Sequence, residues 1–322
     1  MMGSDKTWKL AAVIGALTAI APVQAAESWP SHPVRLITGS PGSTSDITAR
    51  FIGQRLAERW AQQVVVDNRP GAGGNIGAEI AARSAPDGYT LFNGQIGTHA
   101  SPQFLFKKLS YDPLKDFAPV TAAVSLGYVL VGRPDHPAKS LPELIALAKA
   151  KPGAMNFASN GAGSGPHIVM EMLNHAAGIQ LVHIPMNTPG ATAVLTGEVE
   201  FVMNPVTTAV PLVASGKLRG LAVSTPDRIP ALPNVPAVAE TLPGYAADAW
   251  HGFFAPAGTP AAIVEKLAAD LGRALREPSV HKRLAELGLD VIAATPQVFA
   301  AQVKADYDKW GEVVRIAKIR LD

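Results

Sequence analysis

The residues best suited to chemistry at the start of this chain are the small hydroxyl and glycine residues of "GSPGSTSD", residues 39–46. They follow the strand-like run "PVRLIT" and lead directly into a helical pattern. Free N–H groups at a helix N-terminus favour an anion by about 0.3 to 1 kcal/mol, and hydroxyl donors add to such a site. We predict an anion-binding loop, with Asp46 as the helix cap. Its candidate ligand-binding residues are Ser40, Gly42, Ser43, Thr44, Ser45 and Asp46.

A second loop repeats this pattern in the middle of the chain. The segment "SNGAGSGPH", residues 159–167, follows the strand-like run "MNFA" and opens another helical pattern. The candidate ligand-binding residues are Ser159, Asn160, Ser164 and His167. Two anion-ready helix ends that face each other across a cleft would hold both ends of one carboxylate-bearing molecule.

Polar residues also follow the other predicted strands, in "GQIGTHA", "PMNTPGAT" and "MNPVTT". Ligands of open α/β sheets bind at the carboxyl ends of the strands, where these segments are expected to lie. Donors are abundant in them, whereas no nucleophile and base pair stands out, so the set favours binding over catalysis. The further candidates are Gly97, Thr98, His99, Met186, Asn187, Asn204 and Thr207.

Enzyme patterns fit this chain poorly. The glycine-rich segment "DNRPGAGGNIGAE" fails the G-x-G-x-x-G dinucleotide pattern, because Ile76 occupies the position of the third glycine. The G-x-S-x-G hydrolase pattern also fails around Ser164, which has Ala162 before it and Pro166 after it. A secreted serine hydrolase that uses Ser164 and His167 remains the alternative to a binding protein.

Composition narrows the functional classes further. The 322 residues are 48% hydrophobic and 17% charged with a net charge of +2, and they contain no block of like charge, which argues against a nucleic-acid partner. The 8 histidines are scattered without paired ligand spacing, so we expect no metal site. The chain has no cysteine and therefore no disulfide.

The N-terminal segment has the pattern of a secretory signal peptide. Lys6 and Lys9 precede an apolar run from Leu10 to Ile20, and the run is followed by a small-residue cleavage pattern that ends at Ala25. A membrane-spanning helix needs about 20 apolar residues, and this run is shorter. We expect residues 1–25 to be removed near Ala25 and the mature protein to lie in the periplasm.

The rest of the chain alternates short strand-like runs with amphipathic helical patterns. This alternation predicts two α/β layers built on parallel sheets. A proline-rich segment, "TPDRIPALPNVPAVAETLPGY", is interpreted as a surface crossing, and helices that begin at Ala261, Pro278 and Pro296, without strands of their own, are expected to cover the first sheet. The predicted domains are residues 27–125 plus 248–322, and residues 126–247.

Several long motifs in this order resemble one known family. They include "DNRPGAGGNIGAE", "YDPLKDFAPV", "MNFASNGAGSGPH", "GKLRGLAVST" and "WHGFFAPAGTP". Over nearly all of its mature length, the chain resembles the periplasmic substrate-binding proteins of tripartite tricarboxylate transporters, the Bug family.

The resemblance implies a two-lobed, type II periplasmic-binding-protein-like fold with a ligand cleft between two α/β domains. It also implies a small organic carboxylate as ligand, delivery to a membrane permease, no catalysis and no cofactor, and we expect a monomer. In this family the loops that correspond to residues 39–46 and 159–167 hold the carboxylates, often through ordered waters.

Departures from the family pattern bear on the ligand. Asn204 stands where Asp is common, and Met186 with Asn187 stands where Tyr-Lys is common. Without the acidic group, attraction for an amino group is reduced, so we expect a dicarboxylate that lacks an amine. Met186 would suit an apolar spacer between the carboxylates. Aromatic dicarboxylates such as terephthalate or phthalate and aliphatic ones such as adipate both remain open.

Overall fold

The computed structural model describes residues 29–186 and 189–316. The predicted signal peptide, residues 1–25, and the candidate site residue Asn187 lie outside these ranges. None of the helices in the described part of the chain is long and apolar enough to cross a membrane.

Strands and helices alternate along most of the described chain. The strands are β1 (Val34–Thr38), β2 (Val64–Asn68), β3 (Thr90–Gln95), β4 (Phe117–Leu126), β5 (Tyr128–Gly132), β6 (Asn156–Ser159), β7 (Val182–Pro185), β8 (Phe201–Pro205), β9 (Arg219–Val223), β10 (Ala249–Pro256) and β11 (Leu289–Val291). The α-helices are α1 (Thr44–Trp60), α2 (Asn75–Ala82), α3 (Ile96–His99), α4 (Pro102–Leu105), α5 (Leu141–Ala150), α6 (Gly165–Ala177), α7 (Gly190–Thr196), α8 (Val206–Ala214), α9 (Ala261–Arg276), α10 (Pro278–Glu286) and α11 (Pro296–Ile316).

The first lobe is built on a sheet with the strand order β11-β4-β10-β3-β1-β2. Strand β1 is parallel to β2 and β3, as the sequence predicts, because the helical segments between them return the chain to the same end of the sheet. Strand β10 is antiparallel to both β3 and β4, so the sheet is mixed rather than parallel. The eight residues of β10 are all buried, since both faces of the sheet are covered.

The second lobe is built on a sheet with the order β7-β6-β8-β5-β9. Strand β6 is parallel to β7 and β8, whereas β5 is antiparallel to β8 and β9. The carboxyl end of β6 leads into the loop before α6, and β8 leads directly into α8. The starts of these two helices therefore lie at the same edge of the sheet.

The helices after Pro260 begin at Ala261, Pro278 and Pro296, as predicted, and α9 and α11 pack on β4 of the first sheet. The prediction that this tail has no strand was wrong, because β11 pairs with the edge of β4 between α10 and α11. Strand β11 has three residues and is too short to show a clear alternation of apolar and polar residues in the sequence.

The chain crosses between the lobes at Gly127 and again between β9 and β10. Ser224 joins these two crossings. Its hydroxyl accepts from the backbone N–H of Tyr128 at 2.8 Å and donates to the carbonyl of Ala247 at 2.8 Å. A side chain on Gly127 would overlap Thr225, so the crossings pack closely where they pass each other.

Candidate ligand-binding cavity between the lobes

The first predicted loop connects β1 to α1. Ser43, and not Asp46, is the N-cap of α1, with its hydroxyl accepting from the backbone N–H of Asp46 at 3.3 Å. Both residues are good caps, but Gly42 has a φ of +73°, and this turn places Ser43 rather than Asp46 at the extended position that precedes the helix. The Ser43 and Ser45 hydroxyls lie 2.9 Å apart.

Asp46 stabilises this loop from the side that faces away from the cavity. It is 4% exposed, and its carboxylate accepts hydrogen bonds from the backbone N–H of Gly42 at 2.8 Å and from the amide of Asn68 at 2.8 Å. Arg50 forms an ion pair with it at 3.0 Å. Burial alone would raise the pKa of Asp46, but the bonds from Arg50, Asn68 and Gly42 lower it overall. The carboxylate therefore stays ionised, and its hydrogen bonds are made to groups of the protein itself.

The second loop, between β6 and α6, is closed by hydroxyl groups. The Ser159 and Ser164 hydroxyls both donate to the carbonyl of Gly161, at 2.9 and 2.7 Å, and Gly161 and Gly163 have positive φ angles. Ser164 is the N-cap of α6. The loop thus turns back on itself and leaves the first turn of α6 open to the space between the lobes.

Two stacked histidines support the second loop. The rings of His167 and His183 lie 3.7 Å apart, and His183 is 2.7 Å from the Ser159 hydroxyl. His167 Nδ1 accepts from the backbone N–H of Gly163 at 3.1 Å. Because Ser164 donates to Gly161 instead, Ser164 and His167 are not arranged as a nucleophile and its base.

The lowered pKa values of four buried histidines determine how the stability of the protein should depend on pH. Burial lowers the pKa of His99 and His167 to about 3 and of His183 and His251 to about 4; the nearby His183 also lowers the value for His167. These histidines take up protons near pH 6.5 in the unfolded chain but not in the folded chain. Their contribution to the free energy of unfolding is therefore fully present above pH 6.5 and is lost as the pH falls towards 4.

We therefore expect the free energy of unfolding to fall between pH 7 and pH 5. The buried residues His99 and His251 should each contribute about 1 to 2 kcal/mol to this loss. Burial raises the pKa of Glu171, which acts in the opposite direction. Urea unfolding at both pH values checks the expectation, and the loss should be smaller in His251→Gln. A stability that rises towards pH 5 would contradict it.

A cavity of about 250 Å³ lies where the two lobes meet. The lobes both contribute to its wall, which combines backbone, hydroxyl, amide and apolar groups. The lining residues are 39–45, 70, 71, 73, 74, Gln95, Leu126, Tyr128, Asn160, 164–166, Met186, Pro189, Ala191, Asn204, Pro205, Thr208 and His251.

No Asp, Glu, Lys or Arg side chain lines this cavity within residues 29–186 and 189–316. Instead, the N-terminal ends of α1, α2, α6 and α8 reach its wall, at Thr44, Gly74, Gly165 and Pro205. Each end carries unpaired N–H groups and a partial positive charge. The cavity therefore favours negative charge by dipoles and neutral donors rather than by a cation.

A family model described as "Tripartite tricarboxylate transporter family receptor" matches residues 48–319 of this sequence. The chain belongs to this family. It therefore carries the two-lobed fold of its solute-binding receptors, and both the predicted family and the predicted fold class are confirmed.

Solved structures of similar proteins agree with this assignment. R. palustris Rpa4515 with adipate has a TM-score of 0.87 and 32% identity, covering 91% of this receptor and 100% of that chain. The periplasmic binding protein BugD has a TM-score of 0.85 and 30% identity, with 91% and 100% covered. MatC from Rhodopseudomonas palustris with bound malate has a TM-score of 0.84 and 34% identity, with 89% and 100% covered.

The structure of this receptor brings many of the sequence-predicted site residues to the cavity wall. Those that line it are Ser40, Gly42, Ser43, Thr44, Ser45, Asn160, Ser164, Met186 and Asn204. Others lie outside the lining: Asp46, Gly97, Thr98, His99, Ser159, His167 and Thr207.

Each residue outside the lining has another environment. His99 is fully buried and stacks on Phe254 at 3.7 Å, inside the first lobe. The Thr98 hydroxyl accepts from the backbone N–H of Gln95 at 3.0 Å and donates to the Gln95 carbonyl at 2.9 Å, which closes the first turn of α3. Gly97 lies against the carbonyl of Gly163, where an added Cβ would come within 3.1 Å.

Sequence reasoning missed several lining residues, among them Gln95, Tyr128 and His251. Gln95 ends β3, so its position at a strand end was a usable signal. Tyr128 begins the apolar strand β5 and His251 lies inside the apolar strand β10, and nothing in their local pattern distinguishes a residue facing a cavity from one facing a core.

The two lobes are in direct contact beside the cavity. The hydroxyls of Thr44 in α1 and Thr207 in α8 lie 2.8 Å apart, and the residues are 3% and 4% exposed. Gly73 of the first lobe also lies close to the backbone of Ala162 and Ser164. The two predicted site threonines therefore bond to each other across the lobes.

Replacing Thr207 by valine is expected to weaken ligand binding about 3- to 10-fold, since one hydrogen bond between the lobes contributes about 0.5 to 1.5 kcal/mol to the arrangement that encloses the cavity. Calorimetric titration of Thr44→Val, Thr207→Val and the double variant measures the effect. If the two hydroxyls share one hydrogen bond, the double variant should lose no more affinity than either single variant. Additive losses would show that the two hydroxyls act separately.

Proposed function

We propose that this receptor is an extracytoplasmic solute-binding protein that captures a small organic dicarboxylate without an amino group. The observation that carries the proposal is the cavity itself, in which four helix N-termini and a set of neutral donors meet without a charged side chain in the described lining. Such a surface stabilises a carboxylate at each end of a short molecule.

The solved relatives support this ligand class. Two of them hold adipate and malate, which are both dicarboxylates without an amine. An ammonium group would need an acidic partner, and the described lining offers none. Met186 and Leu126 supply apolar surface for the spacer, so aliphatic and aromatic dicarboxylates are both within the proposal.

The proposed carriers of recognition are the two loops at residues 39–46 and 159–167. Asn204 and Met186 complete the proposed contacts. The proposed domain division, residues 27–125 plus 248–322 and residues 126–247, places one loop in each domain. The cleft would then close by movement at the crossings near Gly127 and Ser224.

Family membership and the periplasmic relative BugD support a periplasmic location and delivery to a permease of the tripartite tricarboxylate transporter type. We propose that the mature protein acts there as a monomer, with the signal peptide removed near Ala25.

A thermal-shift screen tests the proposal. The mature protein is heated with adipate, malate, terephthalate, phthalate, acetate and aspartate. A true ligand at 100 times its Kd should add about 2.7 kcal/mol to the free energy of unfolding, and it should be recovered unchanged. Dicarboxylates without an amine should stabilise more than aspartate. Stabilisation by none of the acids, or by aspartate alone, would contradict the proposal.

A further inference from the structure

His251 is a buried polar residue in the cavity wall that none of the predicted roles uses. It lies on β10, one residue after Trp250, whose indole N–H donates to Asp306 of α11 at 2.7 Å. Successive side chains of a strand point to opposite faces, so His251 points away from α11. Its ring lines the cavity on the side of the first lobe.

The imidazole of His251 has hydrogen-bonding capacity that the protein does not use. The residue is 4% exposed, and neither ring nitrogen has a hydrogen-bond partner among the described residues; Nδ1 is fully buried, whereas Nε2 keeps some accessible surface. Buried polar groups are nearly always paired, so an unpaired one requires an explanation. Burial lowers the pKa of His251 to about 4, so at neutral pH the ring is uncharged and carries one N–H donor.

The neighbouring polar side chain does not satisfy His251. Gln95 is its register partner on β3 and also lines the cavity. The Gln95 amide donates to the carbonyl of Gly73 at 3.1 Å, and this bond fixes its orientation towards the turn before α2. The donor of His251 is therefore left for a molecule that occupies the cavity.

We propose that His251 is a ligand-recognition residue that donates its Nε2–H to a carboxylate or hydroxyl oxygen of the bound acid. This inference rests on the proposed function and assigns a first-lobe contact outside the two anion-binding loops. Because the donor is uncharged, it selects for an oxygen acceptor at this place without adding a formal charge to a cavity whose described lining has none.

Two variants of similar size separate recognition from packing. His251→Phe keeps a ring but removes both nitrogens, whereas His251→Gln keeps an N–H donor. Calorimetric titration with adipate, malate and terephthalate should show Kd raised about tenfold or more in the phenylalanine variant, as for loss of a bond to a charged acceptor. The glutamine variant should retain most of the affinity.

Nuclear magnetic resonance of the ¹⁵N-histidine-labelled protein gives a second readout. The Nε2 resonance of His251, assigned by its absence from His251→Gln, should shift when the acid that binds best is added. Unchanged affinity in His251→Phe, or an unshifted resonance in the wild-type complex, would overturn the role of His251 alone. Failure of the wild-type protein to bind any of the three acids would instead overturn the proposed function.

Discussion

Replacing Gly165 by alanine is expected to raise the Kd for the dicarboxylate at least about tenfold. Gly165 begins α6 at the cavity wall, and a Cβ at this position would overlap the Tyr128 hydroxyl and lie 3.1 Å from the ring carbon that carries it. Tyr128 is 4% exposed and packed within β5, so its ring has little room except towards the cavity. Calorimetric titration measures the loss.

The matched rescue removes the hydroxyl that causes the overlap. Gly165→Ala combined with Tyr128→Phe should recover most of the affinity lost by Gly165→Ala, and Tyr128→Phe alone gives the cost of the hydroxyl itself. Gly161→Ala is a poor control because Gly161 has a φ of +100°. Equal losses in the single Gly165 variant and in the double variant would contradict the proposed displacement of Tyr128.

Replacing Asp46 by alanine is expected to weaken binding about 10- to 100-fold, although Asp46 does not line the cavity. The change leaves the Gly42 N–H and the Asn68 amide without their acceptor, and each unpaired donor costs about 1 to 3 kcal/mol. The loop before α1 should rearrange to hydrate these groups. Calorimetric titration and urea unfolding together measure the affinity and the stability.

Asp67 provides the matched control for Asp46. It is an ion-paired carboxylate at the end of the neighbouring strand β2, bonded to Arg35 and Arg69, and it lies outside the cavity lining. Asp67→Ala should lower stability while its Kd stays close to that of the wild type. Retained affinity in Asp46→Ala would show that the carboxylate has no part in shaping the loop.

The sequence predicts the two anion-binding loops because their pattern is local. A strand, a run of glycine and hydroxyl residues and a helix start are all read within about a dozen residues, and the helix N-terminus follows from them. The choice of cap is less well determined. Ser43 and Asp46 both suit the position, and the positive φ of Gly42 decides between them only once the turn is formed.

The rest of the cavity depends on contacts that are distant in sequence. Thr44 and Thr207 are 163 positions apart, and their mutual bond exists only because the lobes close on each other. His99 and His251 are both buried histidines next to apolar strands, yet one lies within the first-lobe core and the other in the cavity wall. The strand pairing and the packing of α11 on β10 determine that difference.

We propose that neutral donors at converging helix N-termini hold a dianion between the lobes. The most direct test is calorimetric titration of the mature protein with adipate, malate and terephthalate, each paired with its diamide of nearly equal size. At least one dicarboxylate should bind with a stoichiometry of one, and its diamide should bind at least about a hundredfold more weakly, since it carries no charge for the helix ends to stabilise. Equal binding of an acid and its diamide, or binding of none of the acids, would contradict the account.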